Sequence, residues 1–117
     1  MEVIPPRGVN LASIISIRVA NNMLDYATSK SAIISFTASL ALDLSNFNIR
    51  VNAVAPGAIL EPPGSSWSEE VRNKILSAIP LGRLGTEKDI AGTVKFLVDS
   101  EYITGQAINV DGGRSLS

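Results

Sequence analysis

Between residues 25 and 45 the chain has neither glycine nor proline, and apolar, β-branched runs lie on both sides of that stretch. A segment so long without a breaker reads as a helix. The run 9–17, after Arg7-Gly8, begins as a buried strand; the run 49–55 (Ile-Arg-Val-Asn-Ala-Val-Ala) is a second strand, closed by Pro56-Gly57. An asparagine-rich loop, 18–24, separates the first strand from the helix, and 62–65 is another loop. Ser66 and Glu69 have capping-box spacing, which predicts a helix ending before Pro80. Thr86 and Asp89 repeat that spacing and predict a helix to about residue 98. A short strand over 106–110 turns out through Asp111-Gly112-Gly113. Strands alternating with helices define an α/β layer with a parallel sheet. Three strands are few for such a sheet, whose faces and edges need cover, so the elements are expected to belong to a larger fold.

The 117 residues suit one small domain, 1–117, and 45% apolar with 18% charged residues is an ordinary soluble composition. A net charge of -1 without a basic cluster argues against nucleic acid or an acidic membrane as partner. Cysteine and histidine are both absent, which removes disulfides, thiolate metal sites, His-ligated metals and a Ser-His-Asp triad. Carboxylates alone remain as ligands for Mg²⁺, and no cluster of them suggests a site. The first seven residues lack a signal-peptide profile and no apolar run spans a bilayer, so the cytoplasm is the expected location.

Tyr26 and Lys30 stand four residues apart at the start of the long helix, on one face and within reach of each other. A phenol, with an unperturbed pKa of about 10, is a poor acid or base at neutral pH. A nearby ammonium favours the phenolate, and at ~4 Å with an effective dielectric of ~20 the attraction is roughly 4 kcal/mol before desolvation. That brings Tyr26 within range of general acid/base work. By itself the pair is weak evidence, because two ordinary helix residues are the more common reading of so short a motif. Ser13, thirteen residues before Tyr26, adds weight, because it is expected at the end of the first strand, where open α/β sheets bind ligands. Its hydroxyl could steady charge on a substrate oxygen or could simply bond its own backbone. Ser16 competes for the role but lies beyond the expected strand end.

Five blocks then fall in order: Asn-Leu-Ala-Ser (10–13), Tyr-Ala-Thr-Ser-Lys (26–30), Ile-Arg-Val-Asn-Ala-Val-Ala-Pro-Gly (49–57), Pro-Leu-Gly-Arg-Leu-Gly (80–85) and Tyr-Ile-Thr-Gly-Gln-Ala-Ile-Asn-Val-Asp-Gly-Gly (102–113). Together they resemble the carboxyl-terminal, catalytic half of the short-chain dehydrogenase/reductase family over nearly the whole chain. The resemblance implies a partial Rossmann-like, doubly wound parallel sheet and NAD(P)-dependent oxidoreductase chemistry. The substrate would be an alcohol or carbonyl compound: a sugar, a secondary alcohol or a 3-oxoacyl group. It implies that Ser13 orients the reacting oxygen, Tyr26 exchanges its proton, and Lys30 supports the phenolate and holds the nicotinamide ribose. Pro56, Gly57 and Ile59 would run past the nicotinamide, with the Ile59 backbone touching the carboxamide.

The departures are equally specific. No Gly-x-x-x-Gly-x-Gly or Gly-x-Gly-x-x-Gly occurs to cradle a pyrophosphate, so poor binding of NAD or NADP by this chain alone is expected. The residue that selects between them belongs to the same absent half. The family's catalytic asparagine has no counterpart, since Asn10 falls in the strand and Asn21 and Asn22 in the loop. Glu61 stands where the family often has a phosphate-binding threonine. Helix 27–45 is apolar nearly all round, with Ile33, Ile34, Phe36, Leu40, Leu42 and Leu44 spread about it. This predicts burial on both sides: on the sheet, and against a second copy of the chain or a complementing chain. A non-catalytic remnant or assembly subunit is the alternative to an enzyme.

Overall fold

The computed structural model describes residues 6–59, 64 and 66–117. Strands β1 (Arg7–Leu11), β2 (Arg50–Pro56) and β3 (Ala107–Val110) form one sheet in the order β1-β2-β3. Both pairings are parallel, with Asn10 opposite Ala53 and Ala53 opposite Ala107. Helix α1 (Leu24–Leu44) connects β1 to β2; α2 (Glu69–Ser77) and α3 (Glu87–Asp99) connect β2 to β3. This is the expected α/β layer, with element ends within about two residues of those read from the sequence.

β2 is the central strand and is buried on both faces from Val51 to Ala55, with Asn52 the one polar residue in that run. Strand alternation divides its side chains. Val51, Ala53 and Ala55 share the face of Asn10, whose side-chain amide donates to the Thr37 hydroxyl of α1 at 3.0 Å. Val54 and Pro56 share the face of Leu11 and α3, where Leu11, Pro56, Ile90, Val94 and Val98 line one apolar groove. Helices therefore cover both faces, which makes the sheet doubly wound.

Polar groups tie the ends of these elements. Arg50 donates to the carbonyls of Leu97 and Val98, both at 2.8 Å, closing the carboxyl end of α3 with a cation. Asn52, buried, donates to the Ile103 carbonyl at 2.9 Å and accepts from the Gln106 N–H at 3.0 Å, fixing the turn into β3. Gly105, at φ +74, lets that turn pass within contact distance of Ala41.

Two expectations need correction. The cap of α2 is Ser68, whose hydroxyl accepts from the Val71 N–H at 3.2 Å, and not Ser66; Glu69 is the first helical residue. Ser13 does not end β1. The last ladder bond is the Ala12 N–H to the Val54 carbonyl at 2.8 Å, and Ser13 caps a single 3₁₀ turn, Ile14–Ser16. The Thr86–Asp89 capping box forms as expected, with both reciprocal bonds present. Glu61 lies outside the described residues. No helix among the described residues is long and apolar enough to cross a membrane.

Candidate active site

The first turns of α1 stand beside the carboxyl end of β1, and side chains fasten the two together. The Lys30 ammonium donates to the Leu11 carbonyl, the last residue of β1, at 3.2 Å. The Ser31 hydroxyl donates to the Ser16 carbonyl at 3.4 Å, which ties the Ser13–Ser16 turn to the same helix. Lys30 Nζ also lies 5.8 Å from the centre of the Tyr26 ring, within reach of a cation–π contact. Tyr26 is 45% exposed and lines an open groove with Val19, Asn21, Asn22, Met23 and Thr28. The strand end, the phenol and the ammonium are thus brought to one place at the carboxyl edge of the sheet, where ligands of such folds bind.

Ser13 is nearby but differently engaged. Its hydroxyl accepts from the Ile15 N–H at 3.3 Å, the local backbone bond that a strand-end serine often makes. Ser16 donates its hydroxyl to the Ser13 carbonyl at 2.7 Å. Both serines shape the turn, and Ser13 retains capacity for a second bond because a hydroxyl carries one donor and two acceptor positions.

Pro56, Gly57 and Ile59 continue β2 off the same edge of the sheet. The Gly57 N–H donates to the Val110 carbonyl at 3.0 Å. A Cβ on Gly57 would meet Asp111 Cβ at 2.8 Å and Asp111 Cα at 2.9 Å, so glycine is required by the close approach of the two strand ends. Burial pushes the Asp111 carboxyl up, but N–H donors from Ser115 at 2.9 Å and Gly113 at 3.0 Å outweigh it, so the group stays below the usual carboxylate range. On the other side the Gly85 N–H donates to the Ala58 carbonyl at 2.9 Å.

Two features of this site escape sequence reasoning. The Lys30–Leu11 bond joins side chain to backbone across two elements, and no residue pattern announces such a contact. The Arg83–Asp89 ion pair, at 2.9 Å, bridges the loop before α3 to its first turn; the capping box marks Asp89 in the sequence but says nothing of Arg83.

A nicotinamide group is compatible with this donor set. Lys30 uses one of three ammonium protons on Leu11, leaving two for ribose hydroxyls, and the Gly57–Ile59 backbone leaves the sheet at its ligand-binding edge.

Fold and site together place the chain among doubly wound, Rossmann-like α/β folds with a candidate site at the carboxyl edge of the sheet. Residues 5–115 match the family described as enoyl-(acyl carrier protein) reductase, and the chain belongs to the short-chain dehydrogenase/reductase family. It is 43% identical over 107 residues to a 3-oxoacyl-[acyl-carrier-protein] reductase FabG of Thermotoga maritima, covering 90% of this chain and 44% of the relative. A FabG of Aquifex aeolicus is 41% identical over 109 residues, covering 92% and 44%. Among solved structures, a putative short-chain alcohol dehydrogenase from Sinorhizobium meliloti 1021 superimposes with a TM-score of 0.86 at 35% identity, over 98% of this chain and 47% of the other. An NAD+-bound xylitol dehydrogenase gives 0.81 at 35% identity, over 92% and 48%. The chain therefore spans less than half the length of each of these proteins.

Proposed function

We propose that this chain carries the catalytic half of an NAD(P)-dependent oxidoreductase that interconverts an alcohol and its carbonyl form, and that it works with a glycine-rich half holding the rest of the dinucleotide. The observation that carries this reading is Lys30: one side chain joins the end of β1, at 3.2 Å, to the ring of Tyr26. The names of the chain's relatives, a 3-oxoacyl-[acyl-carrier-protein] reductase, a putative short-chain alcohol dehydrogenase and a xylitol dehydrogenase, support the same chemistry, and a 3-oxoacyl group, a sugar or a secondary alcohol is the substrate class. NAD and NADP both remain consistent with the residues present.

When bound, the nicotinamide supplies or accepts the hydride. The chain's own residues handle the proton and the positions. In the reducing direction the Tyr26 hydroxyl gives its proton to the substrate oxygen; in the oxidising direction the phenolate takes it back. The ammonium of Lys30 stabilises that phenolate by charge and offers its remaining protons to the ribose. Ser13, at the turn beyond β1, donates its hydroxyl proton to the same substrate oxygen and fixes its direction. Pro56, Gly57 and Ile59 would form the backbone wall that holds a nicotinamide.

The test is a chimaera in which this chain replaces the corresponding half of a relative, assayed by nicotinamide absorbance with a reactive ketone. Tyr26→Phe removes only the hydroxyl and is expected to lower turnover by about 10²-fold or more, with an unchanged melting curve. Turnover surviving within a few-fold would refute the acid/base role. An inactive but correctly assembled parent chimaera would favour the assembly-subunit alternative.

A further inference from the structure

Resting on the reading of Pro56–Ile59 as the nicotinamide wall, we propose that Arg83 is a positioning residue that holds this wall in place through Asp89 and Gly85. β2 ends at Pro56, and the Gly57 bond to Val110 is the last that continues the sheet. Beyond it, the Ala58 carbonyl accepts from the Gly85 N–H at 2.9 Å. The wall is therefore as well placed as Gly85, and Gly85 sits in a loop.

That loop is anchored on both sides of Gly85. The Asp89 carboxylate accepts from Arg83 Nη1 at 2.9 Å and Nη2 at 3.4 Å, a two-toothed contact. It also accepts from the Thr86 N–H at 2.8 Å and the Thr86 hydroxyl at 3.1 Å. Arg83 Nη1 donates in addition to the Leu84 carbonyl at 3.0 Å. Residues 83, 84 and 86 are thus fastened to the first turn of α3, with Gly85 between them. A Cβ on Gly85 would approach Ile59 Cδ1 to 2.7 Å, which shows how closely the loop passes the wall.

A simpler role for these residues is to start α3, but the Thr86–Asp89 capping box does that without Arg83. Nor is fold stability a sufficient role. The side chains of Arg83 and Asp89 are 58% and 32% exposed, and ion pairs in such positions contribute little. What Arg83 adds is direction: it fixes the approach of Leu84 and Gly85 to Ala58.

The experiment uses the chimaera described above, in which a relative's glycine-rich half completes the fold, with NAD+ as the probe. Amide exchange and probe-induced shifts are followed by NMR at Ala58, Ile59 and Gly85. Arg83→Met is expected to speed Gly85 exchange about tenfold through local opening and to weaken the probe about fivefold by loosening its wall. The melting temperature should stay within about 3 °C, as for a surface pair. Asp89→Asn, which keeps an acceptor for Thr86, should reproduce the loss, and the double variant should add nothing further. Arg83→Lys keeps the charge without the fork and should fall between. Unchanged Gly85 exchange in Arg83→Met would overturn the brace. Wild-type shifts at Ala58 and Ile59 with equal affinity in the variant would overturn the positioning role alone. No probe response at Ala58 or Ile59 in the wild type would overturn the nicotinamide reading and this proposal with it.

Discussion

Asn52 occupies the middle of the central strand, where an apolar side chain would be ordinary. It is 1% exposed, and both ends of its amide are used, on the Ile103 carbonyl and the Gln106 N–H. Removing one partner from a buried bond leaves the other without water to replace it, at about 1–3 kcal/mol for each orphaned group. Asn52→Ala is therefore expected to destabilise the fold by roughly 2–4 kcal/mol. Urea unfolding checks this through the midpoint; a midpoint within error of wild type would mean that the turn re-forms without the amide. Tyr26 and Lys30 were legible in the sequence because a four-residue spacing on a helix is a geometric statement. Asn52 was not, because its two partners lie more than fifty positions away.

Helix starts show where local patterns suffice. Thr86 was recoverable as the cap of α3 because Gly85 immediately before it breaks the chain and Asp89 completes the box. At α2 the spacing to Glu69 selects Ser66, but the hydroxyl that caps is the one whose residue turns extended at the right point, Ser68 at φ -62, ψ 157. Spacing alone does not fix that point. The expected end of β1 failed for a related reason: the ladder stops where Val54 gives its last carbonyl, to Ala12, and the 3₁₀ turn begins. The start of α3 also carries a pH dependence. Hydrogen bonds from Arg83, then from the Thr86 N–H and hydroxyl, hold the Asp89 carboxyl well below the usual carboxylate range. A folded-state value below the unfolded one, about 3.9, means stability that is present at neutral pH and lost as pH falls past that value. The difference in melting temperature between wild type and Asp89→Asn should be constant above pH ~5 and shrink below pH ~4. A difference independent of pH would mean that the charge on Asp89 does not support the helix start.

At the scale of the whole chain, surface and core are out of proportion. The accessible area is 8003 Å², whereas a compact monomer of 12.4 kDa exposes roughly 6,100 Å². The radius of gyration is 16.1 Å against about 13 Å for a compact domain of this length. The excess, about 1,900 Å², is more than twice the ~800 Å² that one partner contributes to a standard interface. Several large apolar side chains are exposed where the fold stops. On α1, Phe36 is 57% and Leu42 76% exposed, while Ile33, Ile34, Leu40 and Leu44 are only partly covered, so the burial expected for the second side of that helix is not met within the chain. Among the described residues β1 pairs with β2 alone, and Leu11 at its end is half exposed beside the apolar groove under α3. An open strand edge and an uncovered apolar face both invite another chain. We therefore expect an associated species, either a second copy against α1 or a complementing half against β1. Sedimentation velocity at micromolar concentration should show a mass above that of one chain. Phe36→Glu should dissociate an α1-mediated species and leave a β1-mediated complex intact, because a charge placed in an apolar contact must be desolvated without a partner. A monodisperse monomer that unfolds cooperatively would contradict this account, since the chain would then be stable with those faces in water.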